Sequence, residues 1–247
     1  MIAPTATVEE GVAQALATVD FETSAQRYRD QNEFFHLSRF LPPATIDALL
    51  ADVRQVRDRL NRNYIPGHKK GGSVSYYTLA EKAPAILALY RSPALMGFLS
   101  RLSDARLLLC PDQDPHACAL YFYTEPGDHI GFHYDTSYYR GARYTVLIGL
   151  VERSMSRLVC QLYKDDPTRE TREVSIATDP GCLIFFNGDK LYHAVSPLGA
   201  GEERIVLTLQ YVTNPEMDGF RRLFSDLKDA FAYFGVGTLL RRKLFGR

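Results

Sequence analysis

Gly127-Asp128-His129-Ile130-Gly131-Phe132-His133-Tyr134-Asp135 is the stretch on which the reading of this chain turns. Side chains two apart on an extended strand project to the same face, so His133 and Asp135 present an imidazole and a carboxylate side by side. One more imidazole from a neighbouring strand would place two histidines and a carboxylate on one face of a metal, which leaves open positions on a non-haem Fe(II). His193 is the best candidate for that third ligand. It follows Pro180-Gly181-Cys182-Leu183-Ile184-Phe185-Phe186, which reads as a tight turn and a buried strand, and then a polar break. An HxD triplet alone is weak, since a strand histidine is usually a hydrogen-bonded structural residue. The glycine-rich turn before it and the turn, strand and His193 after it give it meaning.

Eleven residues past His193, Arg204 stands at the entrance to the apolar run Ile205-Val206-Leu207-Thr208-Leu209. An unpaired guanidinium is costly to bury, so an inward Arg204 needs an anion. A small dicarboxylate, matched bidentately by the guanidinium fork, is one source; a salt bridge to Glu202 or another acid is the other. Period two puts Arg204, Val206, Thr208 and Gln210 on one face, so Thr208 shares a pocket with an inward Arg204.

A chain of 247 residues can bury a core as one domain. Lys+Arg 29 against Asp+Glu 29 leaves no global field to favour nucleic acid or an anionic membrane. The start, MIAPTATVEE, has no basic segment followed by an apolar run, and no window approaches the roughly eighteen apolar residues of a membrane span. The expectation is a soluble cytoplasmic protein whose partner is a small-molecule substrate, with no nucleic acid and no membrane, and with the oligomeric state open. Cys110, Cys118, Cys160 and Cys182 form no CxxC pair and lie in or beside apolar runs, as reduced core thiols do.

The first forty residues are weakly patterned and suggest a frayed helix and then a strand at Glu33–Leu37. Ile46, Leu49, Leu50, Val53, Val56 and Leu60 recur at helical spacing. Residues 61–79, with Pro66, Gly71-Gly72 and Lys69-Lys70, read as a long loop of the kind that often carries function. Short helices are expected at Pro84–Arg91 and Pro93–Leu102, each opening on proline. From about residue 107 the period becomes strand-like, with runs at Ala117–Tyr123, Ile130–Asp135, Arg143–Val151, Arg157–Tyr163, Glu173–Ile176, Cys182–Phe186, Tyr192–Val195 and Arg204–Val212. The predicted class is α+β with a two-sheet jelly roll, which manages its edges and leaves an open mouth for a site. A last helical region is expected from Pro215, with Met217, Phe220, Leu223 and Phe224 opening an apolar stripe. The division is a single domain over 1–247, with helical support and a lid loop in 1–105, the β core in 106–214 and a helix in 215–247. The basic, amphipathic Leu239–Phe245 is explained by cations at a helix C-terminus, with a partner or membrane surface as the alternative.

The run from Tyr123 through Gly127, His133 and Asp135, and that from Gly181 through Phe185, His193 and Arg204, resemble the Fe(II)/2-oxoglutarate-dependent dioxygenases, in particular their prolyl-hydroxylase-like branch. The resemblance covers about residues 117–213. It implies a double-stranded β-helix, cupin-like, with His133, Asp135 and His193 as catalytic iron ligands and Arg204, Tyr123 and Thr208 against the cosubstrate. Fe(II), 2-oxoglutarate and dioxygen are the cofactors implied, with oxidative decarboxylation of the keto acid coupled to hydroxylation of an unactivated C–H bond. More narrowly, FYTEPGDHIGFHYDTSYYRGARYTVLIGL, FFNGDKLYHAVSPL and LKDAFAYFG resemble free-amino-acid hydroxylases and radical halogenases that act on lysine-like substrates. The halogenases lack the metal carboxylate and put chloride in its place, so Asp135 implies hydroxylation. Val206 departs from the Ser or Thr that many of the wider family carry two residues after the arginine.

Substrate contacts are less legible. His68, Lys69 and Lys70 offer cations to a carboxylate, and Asp112, Glu125 and Asp128 offer acids to an amine, although charges of this kind are usually solvated. His129 either orients a ligand or substrate from behind or is a plain hydrogen-bonded histidine. His116 reaches the mouth or faces solvent, and Tyr138 and Tyr139 form part of a lid or pack the sheet. Two rivals stand beside a free-amino-acid hydroxylase: a hydroxylase of a peptide or carrier-bound residue, and a non-catalytic cupin-like module that binds a metal or small acid.

Overall fold

The computed structural model describes residues 4–216. Where the sequence suggests one frayed helix, two form, α1 (Pro4–Ala17) and α2 (Phe21–Asp30). Asp20 separates them: its carboxylate accepts the Thr23 N–H at 3.2 Å and so caps α2. The expected strand follows as β1 (Phe34–Leu37), and then α3 (Pro43–Val56), which buries Ile46, Leu49, Val53 and Val56 on one face. The helix stops at Val56 and a 3-10 turn takes over, so Leu60 does not belong to its stripe.

Residues 61–79 are not a loop. They form the antiparallel hairpin of β2 (Asn61–Ile65) and β3 (Lys69–Val74), followed by α4 (Tyr76–Lys82). The glycines mislead because they mark a close approach of layers: a β-carbon on Gly72 would lie 2.4 Å from Leu60 Cδ1. Helices α5 (Pro84–Arg91) and α6 (Pro93–Ser103) lie where the prolines and apolar spacing put them. The buried Asp52 of α3 accepts the Ile86 N–H at 2.9 Å, so it ties α5 to α3 through an otherwise orphaned helix N–H.

Nine strands complete the described chain: β4 (Leu108–Leu109), β5 (Cys118–Tyr123), β6 (His129–His133), β7 (Arg143–Arg153), β8 (Leu158–Leu162), β9 (Arg172–Ile176), β10 (Leu183–Asn187), β11 (Tyr192–Val195) and β12 (Glu203–Val212). All pairings are antiparallel, in the order β1-β10-β7-β12-β5-β3-β6-β11-β8-β9, with β2 on β3 and β4 on β12. Strand β3 is the seam of this curled sheet, because Gly72–Val74 pair with β5 while Lys69 and Lys70 pair with β6. The helices cover the outer face of the β10-β7-β12-β5 half, where Val12, Leu49 and Leu99 belong to one core with Ile148 and Leu207. The inner face is a second apolar layer, with Tyr123, Ile130, Leu147, Phe186 and Val206 among its members. Each such side chain contributes about 1.5–3 kcal/mol through burial. This is the two-sheet jelly roll expected from the strand spacing, in the double-stranded β-helix form that the resemblance implies.

A bulge sets the register of the two central strands. Ile205 faces Val151 and Val206 faces Gly149, so Leu150 is the extra residue of β7 and Glu152 is brought opposite Arg204. Apart from Pro215 and Glu216, the C-terminal helical region and the basic tail lie outside the described residues. No helix among the described residues is long and apolar enough to cross a membrane.

Gly149 tests this packing, since a β-carbon there would sit 2.1 Å from the Thr178 carbonyl oxygen and 2.3 Å from that of Asp179. Gly149→Ala is expected to lower stability by about 2–3 kcal/mol. Urea denaturation measures it, and an unchanged midpoint would show that the 178–179 turn yields without cost.

Candidate active site

His133 ends β6 and faces His193 of β11 directly across the ladder, with ring centroids 4.3 Å apart. The two rings are oriented by one device. His133 Nδ1–H donates to the Gly131 carbonyl at 2.8 Å and His193 Nδ1–H to the Leu191 carbonyl at 3.1 Å, each two residues upstream. These acceptors fix the proton on Nδ1 and leave both Nε2 lone pairs for a metal. Burial, reinforced by neighbouring His133, holds the His193 pKa down at about 4, so its imidazole is neutral at physiological pH.

Asp135 lies past the end of β6 rather than on the strand, but its carboxylate still returns to the histidines. Oδ1 is 3.4 Å from His133 Nε2, and Oδ2 accepts the Thr145 hydroxyl at 2.7 Å. Burial would raise the pKa of this carboxyl. The His133 contact, the attraction of both histidines once acid charges them, and the Thr145 hydrogen bond outweigh burial and hold it well below the usual carboxylate range. Ligand atoms of His133, Asp135 and His193 all lie within 4.8 Å of one another. Two imidazoles and a carboxylate at that spacing fit a divalent transition metal held on one face.

A bulge also shapes β6. His193 pairs with His133 but Val195 pairs with Ile130, so β6 carries one residue more than its partner and both Ile130 and His133 face the cavity. Strict period two would put His129 on the face of His133. Instead His129 turns away, and its Nδ1 is held 2.8 Å from the Gly127 carbonyl.

Arg204 faces inward and is 1 % exposed. Tyr123 is its register partner on β5, with the guanidinium carbon 5.8 Å from the ring centroid. Burial pulls its pKa below the usual guanidinium value, and both Nε and Nη1 lack a hydrogen-bond partner. Glu202 is not its acid, for it accepts instead from Gly199 and Met155 N–H groups. The nearest carboxylate, Glu152, stays 3.8 Å from Nε and accepts from the Thr178 backbone and hydroxyl. Glu152 thus meets Arg204 as a long ion pair without a hydrogen bond, which leaves guanidinium N–H groups that a ligand's carboxylate could satisfy.

One cavity takes in the triad, Arg204, Tyr123 and Thr208. It also takes in His116, Tyr138 and Tyr139, three of the candidate substrate or lid residues. The other candidates do not line it. His68 stacks edge-on against His133 at 6.0 Å from behind, and Lys70 Nζ donates to the Pro126 carbonyl at 2.8 Å. Asp128 is fully buried and engaged by Arg62 at 2.7 and 2.8 Å; Glu125 also meets Arg62, and Asp112 accepts the Tyr76 hydroxyl.

Three further residues belong to the cavity or its support. Thr145 steadies Asp135, and its hydroxyl is also 3.1 Å from Gln210 Oε1. Asp114 and Arg143 form an ion pair of 2.5 Å in the cavity wall, to which the Tyr139 hydroxyl donates at 2.7 Å. The sequence carries a signal for Arg143, because it heads the apolar run Tyr144–Leu150 as Arg204 heads its own. Asp114 and Thr145 have no such signal, since a turn aspartate and a strand threonine are ordinary.

Several solved structures share this architecture. The non-haem alpha-ketoglutarate-dependent epimerase SnoN from nogalamycin biosynthesis is 16% identical with a TM-score of 0.66, over 81% of this chain and 86% of that one. The carbocyclase SnoK from the same biosynthesis is 14% identical with a TM-score of 0.65, over 84% and 91%. A Pseudomonas putida prolyl-4-hydroxylase is 18% identical with a TM-score of 0.59, over 79% and 99%. At these identities the likeness is one of fold. No curated protein matches the sequence. The profile of a family described as Halogenase D matches residues 17–142, just over half of the chain and including the His133–Asp135 segment. On that match the chain belongs to the halogenase D family.

Proposed function

We propose that this protein is an Fe(II)/2-oxoglutarate-dependent oxygenase that hydroxylates an unactivated C–H bond of a free amino acid, with His133, Asp135 and His193 as the iron ligands. One observation carries the reading: the three ligand groups and the buried, under-partnered Arg204 share a single cavity. That a solved SnoN structure contains Fe3+ and alpha ketoglutarate supports the same pairing of metal and keto acid here. Iron bound with 2-oxoglutarate and dioxygen supplies the oxidising power for C–H cleavage. The chain's residues bind and orient. Arg204 takes the far carboxylate of the keto acid, Tyr123 and Thr208 flank it, and Ile130, Leu147 and Val206 wall the space from water. Four free, buried cysteines support a reducing compartment, the cytoplasm.

Chlorination is the second reading, favoured by the family's description. Asp135 supports hydroxylation instead, because its carboxylate stands with the two histidines as a third ligand group, which the halogenases that the sequence resembles lack.

Anaerobic titration with Fe(II) and 2-oxoglutarate should give a weak visible charge-transfer band; a module that binds only a metal or small acid would give none. In air with chloride present, a panel of free amino acids should yield a product heavier by one oxygen atom, and a chlorinated product would reverse the assignment. Asp135→Ala should abolish hydroxylation, and full retained activity would remove Asp135 from the ligand set. Arg204→Leu should weaken 2-oxoglutarate binding at least about thirtyfold, as loss of one partner of a buried charge pair does, while iron binding changes little. Thr145→Val, which leaves Asp135 in place but unsteadied, should weaken iron binding by about tenfold in a competition titration.

A further inference from the structure

Strand β12 runs the length of the cavity, and its inward residues order what lies there. Arg204 is at one end, Val206 and Thr208 follow, and Gln210 is at the other. Six residues of strand separate Arg204 from Gln210, a span of about 20 Å. Asp135 is tied through Thr145 to Gln210, so the candidate metal ligands lie toward that end, while Tyr123 pairs with Arg204 at the other. A keto acid anchored on Arg204 therefore leaves the Gln210 end for the substrate.

That end is built around the Asp114–Arg143 pair. Both side chains are nine-tenths buried, at 10% and 8% exposure, yet both contribute to the cavity wall. Asp114 accepts from Arg143 Nη2, the Tyr139 hydroxyl and the His116 backbone N–H. Against the opposing effect of burial, Arg143 and His116 keep its carboxyl ionised. A carboxylate has about four acceptor positions, so one is left. Arg143 commits Nη2 to Asp114, keeps its buried Nε away from the cavity, lies beside the Cys110 thiol, and still contributes its guanidinium to the cavity wall. The pair thus offers both signs of charge to the cavity, next to the Gln210 amide.

Charge at this site is balanced without a substrate. Among the described residues, the formal charges lining the cavity are those of Asp114, Asp135, Arg143 and Arg204, and they cancel. A divalent metal and a keto-acid dianion cancel as well. No further carboxylate of the described residues lines the cavity to receive a side-chain ammonium. Among the described residues a cationic side chain would therefore meet no counter-charge of its own, which is unfavourable.

We propose that the Asp114–Arg143 pair is the receptor for the head group of a zwitterionic amino acid whose side chain is uncharged, with the carboxylate toward Arg143 and the ammonium toward Asp114. The lysine-like substrate suggested by resemblance is then the wrong member of the class. The inference rests on the oxygenase reading above, from which the direction of the keto acid is taken.

The test uses the whole chain, loaded anaerobically with Fe(II) and 2-oxoglutarate so that nothing turns over, with amino-acid binding followed by calorimetry and by the shift of the visible band. Leucine, valine, serine and glutamine are compared with lysine, arginine and the N-acetyl amides of the neutral members. At least one neutral amino acid should bind about tenfold or more tighter than lysine and than its own capped form, which lacks both head-group charges. Arg143→Gln, Asp114→Asn and the double variant should each weaken that binding about tenfold or more while 2-oxoglutarate affinity moves less than about twofold. Tighter binding of lysine, equal binding of the capped forms, or no amino-acid binding by a protein that takes up the keto acid would each overturn the proposal. Should the variants fail to fold, the ranking measured on the unaltered protein decides. Failure of the oxygenase reading has its own signature, namely absence of the band and of any 2-oxoglutarate binding that depends on Arg204.

Discussion

A guanidinium sealed under the inner sheet, with two of its nitrogens lacking hydrogen-bond partners, is the constraint around which this molecule is arranged. Taking such a charge out of water costs several kcal/mol unless something compensates, and the one nearby carboxylate is too far away and otherwise engaged to do so fully. A fold that keeps this arrangement stores an electrostatic demand at a defined depth. The apolar layer of Tyr123, Ile130, Leu147 and Val206 makes that demand stronger by keeping the dielectric low. The burial itself, before any detail of shape is considered, would favour an anionic group beside Arg204.

The ladder distributes the remaining functional groups along the same strand. In a regular antiparallel sheet, alternation alone decides which side chains reach the interior. Here two insertions of one residue, in β6 and β7, change that alternation locally. The first lets His133 and Ile130 face the same space although they are three apart, and the second sets Glu152 opposite Arg204. The sheet thereby gathers groups from five strands, while the irregular connection 134–142 adds Asp135, Tyr138 and Tyr139 and the segment before β5 adds Asp114 and His116. The strands hold the two histidines and Arg204 more tightly than a loop would, and the hydrogen bond from Thr145 of β7 ties Asp135 to that frame.

Much of this was legible in one dimension. The apolar spacing from Ile46 to Val56, the prolines at 84 and 93 and the alternating runs beyond residue 107 declared their elements because local pattern and burial agree there. His133, Asp135, His193 and Arg204 could be singled out because each is a polar residue in or beside an apolar run. What escaped depends on contacts between distant segments. Gly71 and Gly72 look like a break until Leu60 is seen to occupy the space above Gly72. His129 seems to share a face with His133 until the bulge is counted. Asp114 meets Arg143 across 29 residues and Thr145 meets Asp135 across ten, and no spacing rule announces either pair.

The two imidazoles carry a consequence for metal identity. Because main-chain carbonyls already settle the tautomer and set of each ring, the nest is formed before any cation arrives and little rearrangement accompanies loading. Rigidity of this sort favours rapid capture but gives little discrimination. Nitrogen and oxygen donors follow the Irving–Williams series, so zinc, nickel or copper would outcompete ferrous ion at equal concentration. Were the proposed iron to be held there, its occupancy would reflect the surrounding metal supply rather than a preference of the polypeptide.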